Sequence, residues 1–366
     1  MRTQEGGTTG NAGTGAAERS PASAVPLSFF RRQLTVWGRR ALTLPAYAIL
    51  WGLVAASLPA TLPIAAAVDL ARRNRWATVR TLAMAAVFLT CEMIGIAASF
   101  AIWLASGVWM GSGRERFLRW NFALQQWWAG TLLDLARRIY RIEIEFAPQP
   151  ELARGPYLLF IRHTSLADTL LPSALFSKPY GIVLRYVLKR ELLWDPCLDI
   201  VGNRLPNAFV ERGTGNIAGG VGAVRRLMSG LGPRDGILIY PEGTRYTRAK
   251  RERVLRQLAA RDEGLLRKAE ALRHVLPPRL GGPLALLEEN QGADAVFCVH
   301  AGLEAINTAR DLLDGSIVGL RVRVACWRVP FAEIPVTREA RIDWLYDHWA
   351  RVDAWVDAHP PMGANA

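Results

Sequence analysis

The sequence predicts an α/β domain, a mixed and mostly buried sheet flanked by helices, preceded by an N-terminal membrane-associated helical segment. Three observations carry this reading. Two long runs nearly free of charge lie close to the N-terminus. From about Ile139 onward, short apolar runs alternate with stretches of helical character. Two of those short runs lead directly into polar clusters that precede helical stretches, as in open sheets that bind ligands at the carboxyl ends of their strands.

The elements follow in order. Residues 1–26 are rich in Gly, Thr, Ala and Ser and bury too little apolar surface to offset ordering, so a disordered tail is expected. Residues 27–113 hold the membrane candidates. Ala41–Val68 carries no charge, and its first 18 residues, Ala41–Leu58, would span about 27 Å as a helix, close to a bilayer core of about 30 Å. Pro59 and Pro63 interrupt the run, which also allows a shallow re-entrant hairpin. The second run, Leu82–Met110, contains one charge, Glu92, expected near the headgroups. Arg residues flank both runs and fill the loop between them, so their asymmetry does not fix the topology. Residues 114–138 form an amphipathic segment. Phe117, Trp120, Leu124, Trp127, Trp128 and Leu135 share one helical face, suited to a membrane interface or to packing on the folded domain.

The α/β domain is expected over 139–356, with a short tail at 357–366. Ile139–Phe146, Tyr157–Ile161, Gly236–Tyr240, Ala295–Val299 and Ile317–Cys326 read as strands. Leu166–Phe176, Asn216–Met228 and Thr247–His274 read as helices.

Composition narrows the function. With 51% hydrophobic and 21% charged residues, a disordered acidic protein, a collagen-like chain and a simple coiled coil are excluded. The net charge of +13 is compatible with anionic lipid, phosphorylated substrates or nucleic acid. No interleaved aromatic platform or helix-turn-helix pattern accompanies the charge, so nucleic acid is not expected. Cys91, Cys197, Cys298 and Cys326 form no CxxC pair and have no His-rich neighbourhood, which points to reduced thiols and no metal site.

Two clusters carry the chemistry. His163 follows the Tyr157–Ile161 strand, and Asp168 lies five residues on, just inside the next helix. A turn into a helix start can fold that carboxylate back onto the imidazole, fixing the tautomer and leaving the other nitrogen as a general base for a hydroxyl. Tyr240-Pro241-Glu242-Gly243-Thr244-Arg245 also follows a short strand. Gly243 permits a tight turn and close approach to a ligand, and Arg245 offers a planar fork suited to phosphate. Ser165 is too close to His163 along the chain for a Ser–His nucleophile pair. His300 reads as a core histidine that could alternatively face the cleft. The basic run Thr247–Arg256 reads as a solvated helix face or as a surface for anionic lipid or coenzyme A phosphates.

Together, His163 and Asp168 with Glu242-Gly243-Thr244-Arg245 make the sequence resemble the glycerolipid acyltransferases of the lysophosphatidic acid acyltransferase type. Phe209-Val210-Glu211-Arg212 corresponds to that family's second block and Leu276-Pro277-Pro278-Arg279 to its fourth. Val329-Pro330-Phe331-Ala332-Glu333-Ile334-Pro335, Trp344-Leu345-Tyr346 and Val352-Asp353 resemble the end of the longer acylglycerophosphate and lysocardiolipin acyltransferase branch. Arg162 stands where the family usually has Asn, and Pro206 where many members have Gly.

The resemblance implies transfer of an acyl group from an acyl thioester, acyl-CoA or acyl-carrier protein, to a lysophospholipid hydroxyl. The simplest case is 1-acylglycerol 3-phosphate to phosphatidate; lysocardiolipin or another lysolipid is the alternative acceptor. His163 would be the base and Asp168 its support. Arg212, Arg245 and Arg279 would hold the acceptor phosphate, with Glu242 fixing Arg245 or neighbouring backbone donors. No cofactor or metal is implied, and the catalytic domain is expected on the cytoplasmic face of a membrane. A noncatalytic lipid-binding module is the competing class, disfavoured by the presence of His163, Asp168, Glu242 and Arg245.

Overall fold

The computed structural model describes residues 27–165, 167–210, 217–306 and 308–360. Thr43–Ala366 forms one compact unit and Met1–Leu42 another. The helices are α1 (Leu27–Arg72), α2 (Ala77–Ser106), α3 (Arg114–Tyr140), α4 (Lys178–Tyr180), α5 (Pro196–Gly202), α6 (Ile217–Arg225), α7 (Arg248–Ala259), α8 (Glu263–Glu270), α9 (Gly281–Glu288), α10 (Ala309–Leu313) and α11 (Arg338–Ala358). The strands are β1 (Glu143–Glu145), β2 (Tyr157–Ile161), β3 (Val183–Lys189), β4 (Ala208–Val210), β5 (Asp235–Ile239), β6 (Asp294–Ala301) and β7 (Arg321–Val329).

The strands form one sheet in the order β1-β7-β6-β2-β5-β3-β4. β6, β2, β5, β3 and β4 run parallel, and β7 is antiparallel to β6. β2 is buried along its whole length. Its alternate side chains enter two cores: Leu158 and Phe160 pack with α9 and α11, and Tyr157, Leu159 and Ile161 with Leu133, Tyr140 and Phe176. A strand covered on both faces needs apolar residues throughout, which is why β2 reads as a continuous run rather than an alternation.

Several expected elements change shape. Ile139 and Tyr140 finish α3 instead of opening a strand; Arg141, with φ 57°, ends the helix and leaves only Glu143–Glu145 extended. β7 starts at Arg321, because Gly319 turns the chain at φ 81°. The long helix expected over Thr247–His274 is split where Asp262 accepts a bond from the Leu265 N–H, 2.9 Å, and starts α8. Leu166 lies outside the described residues; Ala167–Thr169 is a single tight turn and Ser173–Ser177 a wide one, in place of the regular helix expected over Leu166–Phe176.

β3 was not expected, because Arg185 interrupts an otherwise apolar run. Its guanidinium is spent on the carbonyls of Leu227, Ser229 and Gly230 at 2.6–2.8 Å and on Asp235 Oδ2 at 2.8 Å. A charge so satisfied can lie inside a sheet protein.

α1 runs through Pro45, Pro59 and Pro63 without ending, so one helix replaces the interrupted run expected there. Near the prolines, the Ser57 and Thr61 hydroxyls donate to the carbonyls of Val54 and Ser57. α1 and α2 are long and apolar enough to cross a membrane. Their exposed faces carry Ile49, Leu53, Ile64, Phe100 and Leu104. Asp69 joins them by accepting bonds from the Thr78 and Val79 N–H groups, both 2.9 Å.

Glu92, the one charge of the second apolar run, is buried within α2. It accepts bonds from Trp128 Nε1 of α3, 2.7 Å, and from the Cys197 N–H at the start of α5, 3.2 Å. α3 accordingly packs against α2 and α5. Of its expected apolar face Leu124 is buried, and Trp127 remains exposed. The four cysteines are free and buried.

Candidate active site

β2 and β5 are parallel neighbours with Phe160 opposite Ile239, so their carboxyl ends deliver His163 and Tyr240–Arg245 to one edge of the sheet. Backbone bonds then tie the two loops together. Glu242 Oε1 accepts the His163 N–H at 2.9 Å, and the Tyr246 N–H donates to the His163 carbonyl at 3.0 Å. The Tyr240 ring lies against the imidazole, with centroids 4.5 Å apart.

His163 Nδ1 is 2.9 Å from Asp168 Oδ1. The other carboxylate oxygen accepts the N–H groups of Thr164 and Ser165 at 2.7 and 2.8 Å. Asp168 is thus folded back over the turn that carries His163, and it is fully buried. An ionised carboxylate only accepts, so Nδ1 carries the proton and Nε2 is left as the basic nitrogen. The imidazole keeps 13% of its surface exposed, enough to meet a substrate. Ser165 Oγ donates to the Ile306 carbonyl at 2.8 Å and serves the turn.

Glu242 is buried, and its second oxygen accepts the Leu276 N–H at 3.1 Å. Its carboxylate therefore goes to backbone donors and not to Arg245. Burial pushes this carboxyl up to about 8, against the two N–H donors and the nearby Arg162 charge, which pull it down.

Gly243 turns at φ 67°, and a Cβ there would lie 2.6 Å from Arg279 Cδ. The stem of Arg279 therefore crosses directly over the Gly243 turn, and the Arg279 N–H donates to the Pro241 carbonyl at 2.8 Å. Lys250 Nζ braces the same loop at Thr244 Oγ1, 3.2 Å, and the Arg245 carbonyl, 2.9 Å. Among the described residues, neither the Arg245 nor the Arg279 guanidinium has a hydrogen-bond or ion-pair acceptor. Arg212 lies two residues after β4, outside the described residues. The described chemistry-bearing residues thus lie on adjoining segments: a His–Asp pair, a buried carboxyl bonded to the His163 loop, Arg245 on the loop of that carboxyl, and the Arg279 stem across Gly243.

The sequence did not show what holds this edge together. Arg162 is buried; it donates to the His300 and His274 carbonyls at 2.6 and 2.9 Å and pairs with Glu304. Burial pushes the Glu304 carboxyl up, but the Arg162 charge and hydrogen bond outweigh it and leave Glu304 below its ordinary value. His300 is in the core, with Nε2 3.0 Å from the Arg162 carbonyl and 3.7 Å from Asp168 Oδ2. Burial pulls it below the ordinary histidine value, so it stays neutral behind Asp168. Asp353 of α11 accepts the N–H groups of Arg273, His274 and Val275, and Trp349 Nε1 donates to the Leu276 carbonyl at 3.0 Å. A signal for Asp353 existed: it is an acid between Val352 and Val356, at the end of the α11 core series Leu345, Tyr346, Trp349, Val352, Val356.

Residues 141–280 match the protein-family model described as Acyltransferase. This stretch, 140 of the 366 residues, is similar to acyltransferase domains. It contains β2 to β5, both motif loops and Arg279. Among curated proteins none matches the chain. Among solved structures, it is similar to the crystal structure of the 1-acyl-sn-glycerophosphate (LPA) acyltransferase, PlsC, from Thermotoga maritima. That match has 12% identity and a TM-score of 0.48, and covers 78% of this chain and 100% of the other.

Proposed function

We propose that the protein transfers a fatty acyl group from an acyl thioester to the free hydroxyl of a lysophospholipid, 1-acyl-sn-glycerol 3-phosphate being the acceptor and phosphatidate the product. The observation that carries this is the 2.9 Å His163–Asp168 contact beside the loop that bears Arg245 and is crossed by the Arg279 stem, two guanidinium groups with no protein acceptor among the described residues. His163 Nε2 takes the proton of the acceptor hydroxyl as its oxygen attacks the thioester carbonyl. The tetrahedral intermediate expels the thiolate, which recovers that proton from His163. Asp168 holds the ring orientation and offsets the imidazolium charge between the two proton transfers. Arg245 and Arg279, with Arg212 following β4, bind the acceptor phosphate. Bidentate guanidinium–phosphate pairing selects a phosphomonoester over a neutral head.

The acyl donor is coenzyme A or a carrier protein, and no cofactor takes part. The site of action in this reading is a membrane, where a lipid acceptor resides, with the catalytic domain on the cytoplasmic side; the exposed apolar faces of α1 and α2 support the membrane association. The test is thiol release from acyl-CoA by the full-length protein in detergent micelles, with and without lysophosphatidate. Release should depend on the acceptor and fall by at least about 100-fold in His163→Ala, the scale of general-base help. Equal rates for the two proteins would reject His163 as the base.

A further inference from the structure

The segment from Arg273 to Arg279 is neither helix nor strand, and prolines 277 and 278 give it no N–H at two positions. Its inner residues Val275 to Pro278 are nevertheless buried. Buried backbone groups need partners, and here almost all of them come from elsewhere in the chain. Tyr246 OH donates to the Arg273 carbonyl at 2.8 Å, Arg162 to that of His274, and Glu242 accepts the Leu276 N–H. Those three partners belong to the two loops that form the candidate site. Two further partners come from α11. Asp353 Oδ1 lies 3.0, 2.6 and 3.1 Å from the N–H groups of Arg273, His274 and Val275. Trp349 Nε1 holds the Leu276 carbonyl.

One carboxylate facing three successive N–H groups is an anion in a backbone nest, the strong, charge-assisted kind of contact. The connection then continues to the imidazole: Leu276 N–H to Glu242, and Glu242 to the His163 N–H. At its far end the same segment delivers Arg279 onto Gly243. α11 lies outside the segment matched by the acyltransferase family model.

We propose that Asp353, assisted by Trp349, is a positioning residue for His163, acting from α11 through the 273–276 backbone and Glu242. The proposal rests on His163 being the base, and its test separates the two claims. In the full-length protein in micelles, assayed well below its unfolding temperature with lysophosphatidate and acyl-CoA, Asp353→Asn should lower kcat at least tenfold and leave KM for acyl-CoA unchanged. Asp343→Asn, on the same helix but paired among the described residues with Lys268 alone, should leave both parameters unchanged. Combined with Glu242→Gln, Asp353→Asn should add little further loss, as expected of residues acting through one connection.

Amide hydrogen exchange provides a readout that needs no turnover: protection should fall at 161–165 and 240–246 in Asp353→Asn, and not in Asp343→Asn. If Asp353→Asn does not fold, Trp349→Phe, which removes only the bond to Leu276 and part of the ring, takes its place in both measurements. Wild-type kcat in the variant, multiplicative losses in the double variant, or exchange changes confined to 272–276 would overturn the proposal. Absence of acceptor-dependent turnover in the wild type would remove the proposed function, and the exchange result would still decide whether Asp353 holds the His163 loop.

Discussion

Replacing Glu242 by Gln should change how stability depends on pH. The carboxyl moves from an ordinary value of 4.5 to about 8 on folding, because it is wholly buried. That difference corresponds to about 5 kcal/mol between its two protonation states. The sign follows from proton binding. Between pH 4.5 and 8 the folded state holds a proton that the unfolded state has lost, so this group's contribution falls as pH rises. It is fully present below about 4.5, declines by about 1.4 kcal/mol per pH unit, and is exhausted above about 8. Gln cannot titrate, so the variant lacks this slope.

The two proteins would be unfolded in denaturant at several values from pH 4.5 to 9, with tryptophan fluorescence as the probe. The wild-type stability minus that of the variant isolates the Glu242 contribution from all other titrating groups. This difference should fall with rising pH through the window; near neutrality the accompanying shift in Tm is of the order of 10 °C for a domain this size. A difference that is flat, or that rises with pH, would refute the reasoning. It would mean that the His163 and Leu276 N–H groups and Arg162 stabilise an ordinary carboxylate at this position.

Two further outcomes follow from the adjoining turn. Arg245→Lys keeps the charge and loses the fork, so KM for lysophosphatidate should rise about tenfold while KM for acyl-CoA stays constant; an unchanged acceptor KM would remove the phosphate role. Gly243→Ala places a side chain at φ 67° and 2.6 Å from Arg279 Cδ. It should cost about 1–2 kcal/mol of stability and displace Arg279, seen as a higher acceptor KM; wild-type values in both measurements would show that the turn has room to spare.

The site was more legible than its support. His163 and Asp168, and Glu242 to Arg245, could be read because each cluster directly follows a strand whose buried faces force an unbroken apolar run. Their meeting depends on β2 and β5 being neighbours, which spacing alone does not specify. β3 escaped notice because one residue, Arg185, broke its pattern, and only its four distant oxygen partners show why a charge is tolerated there. The sequence marks Glu92 as the one charge in its apolar run, but its partners Trp128 and Cys197 lie 36 and 105 residues away, and nothing local points to them. Arg162 and His300 likewise act across 138 residues, and Asp353 across 78 to 80. Such contacts are properties of the closed fold and leave no periodic trace along the chain.

The joint at Glu92 has a mechanical consequence. One side chain of α2 grips α3 and the start of α5 together, so the apolar hairpin is not a leash from which the catalytic body swings. If the hairpin enters lipid as proposed, this joint sets how far His163 stands from the bilayer, and a lipid acceptor would be met at one depth. Lengthening the chain between α2 and α3 would then do little, whereas cutting the Glu92 grip would free the enzyme to tumble over the lipid surface.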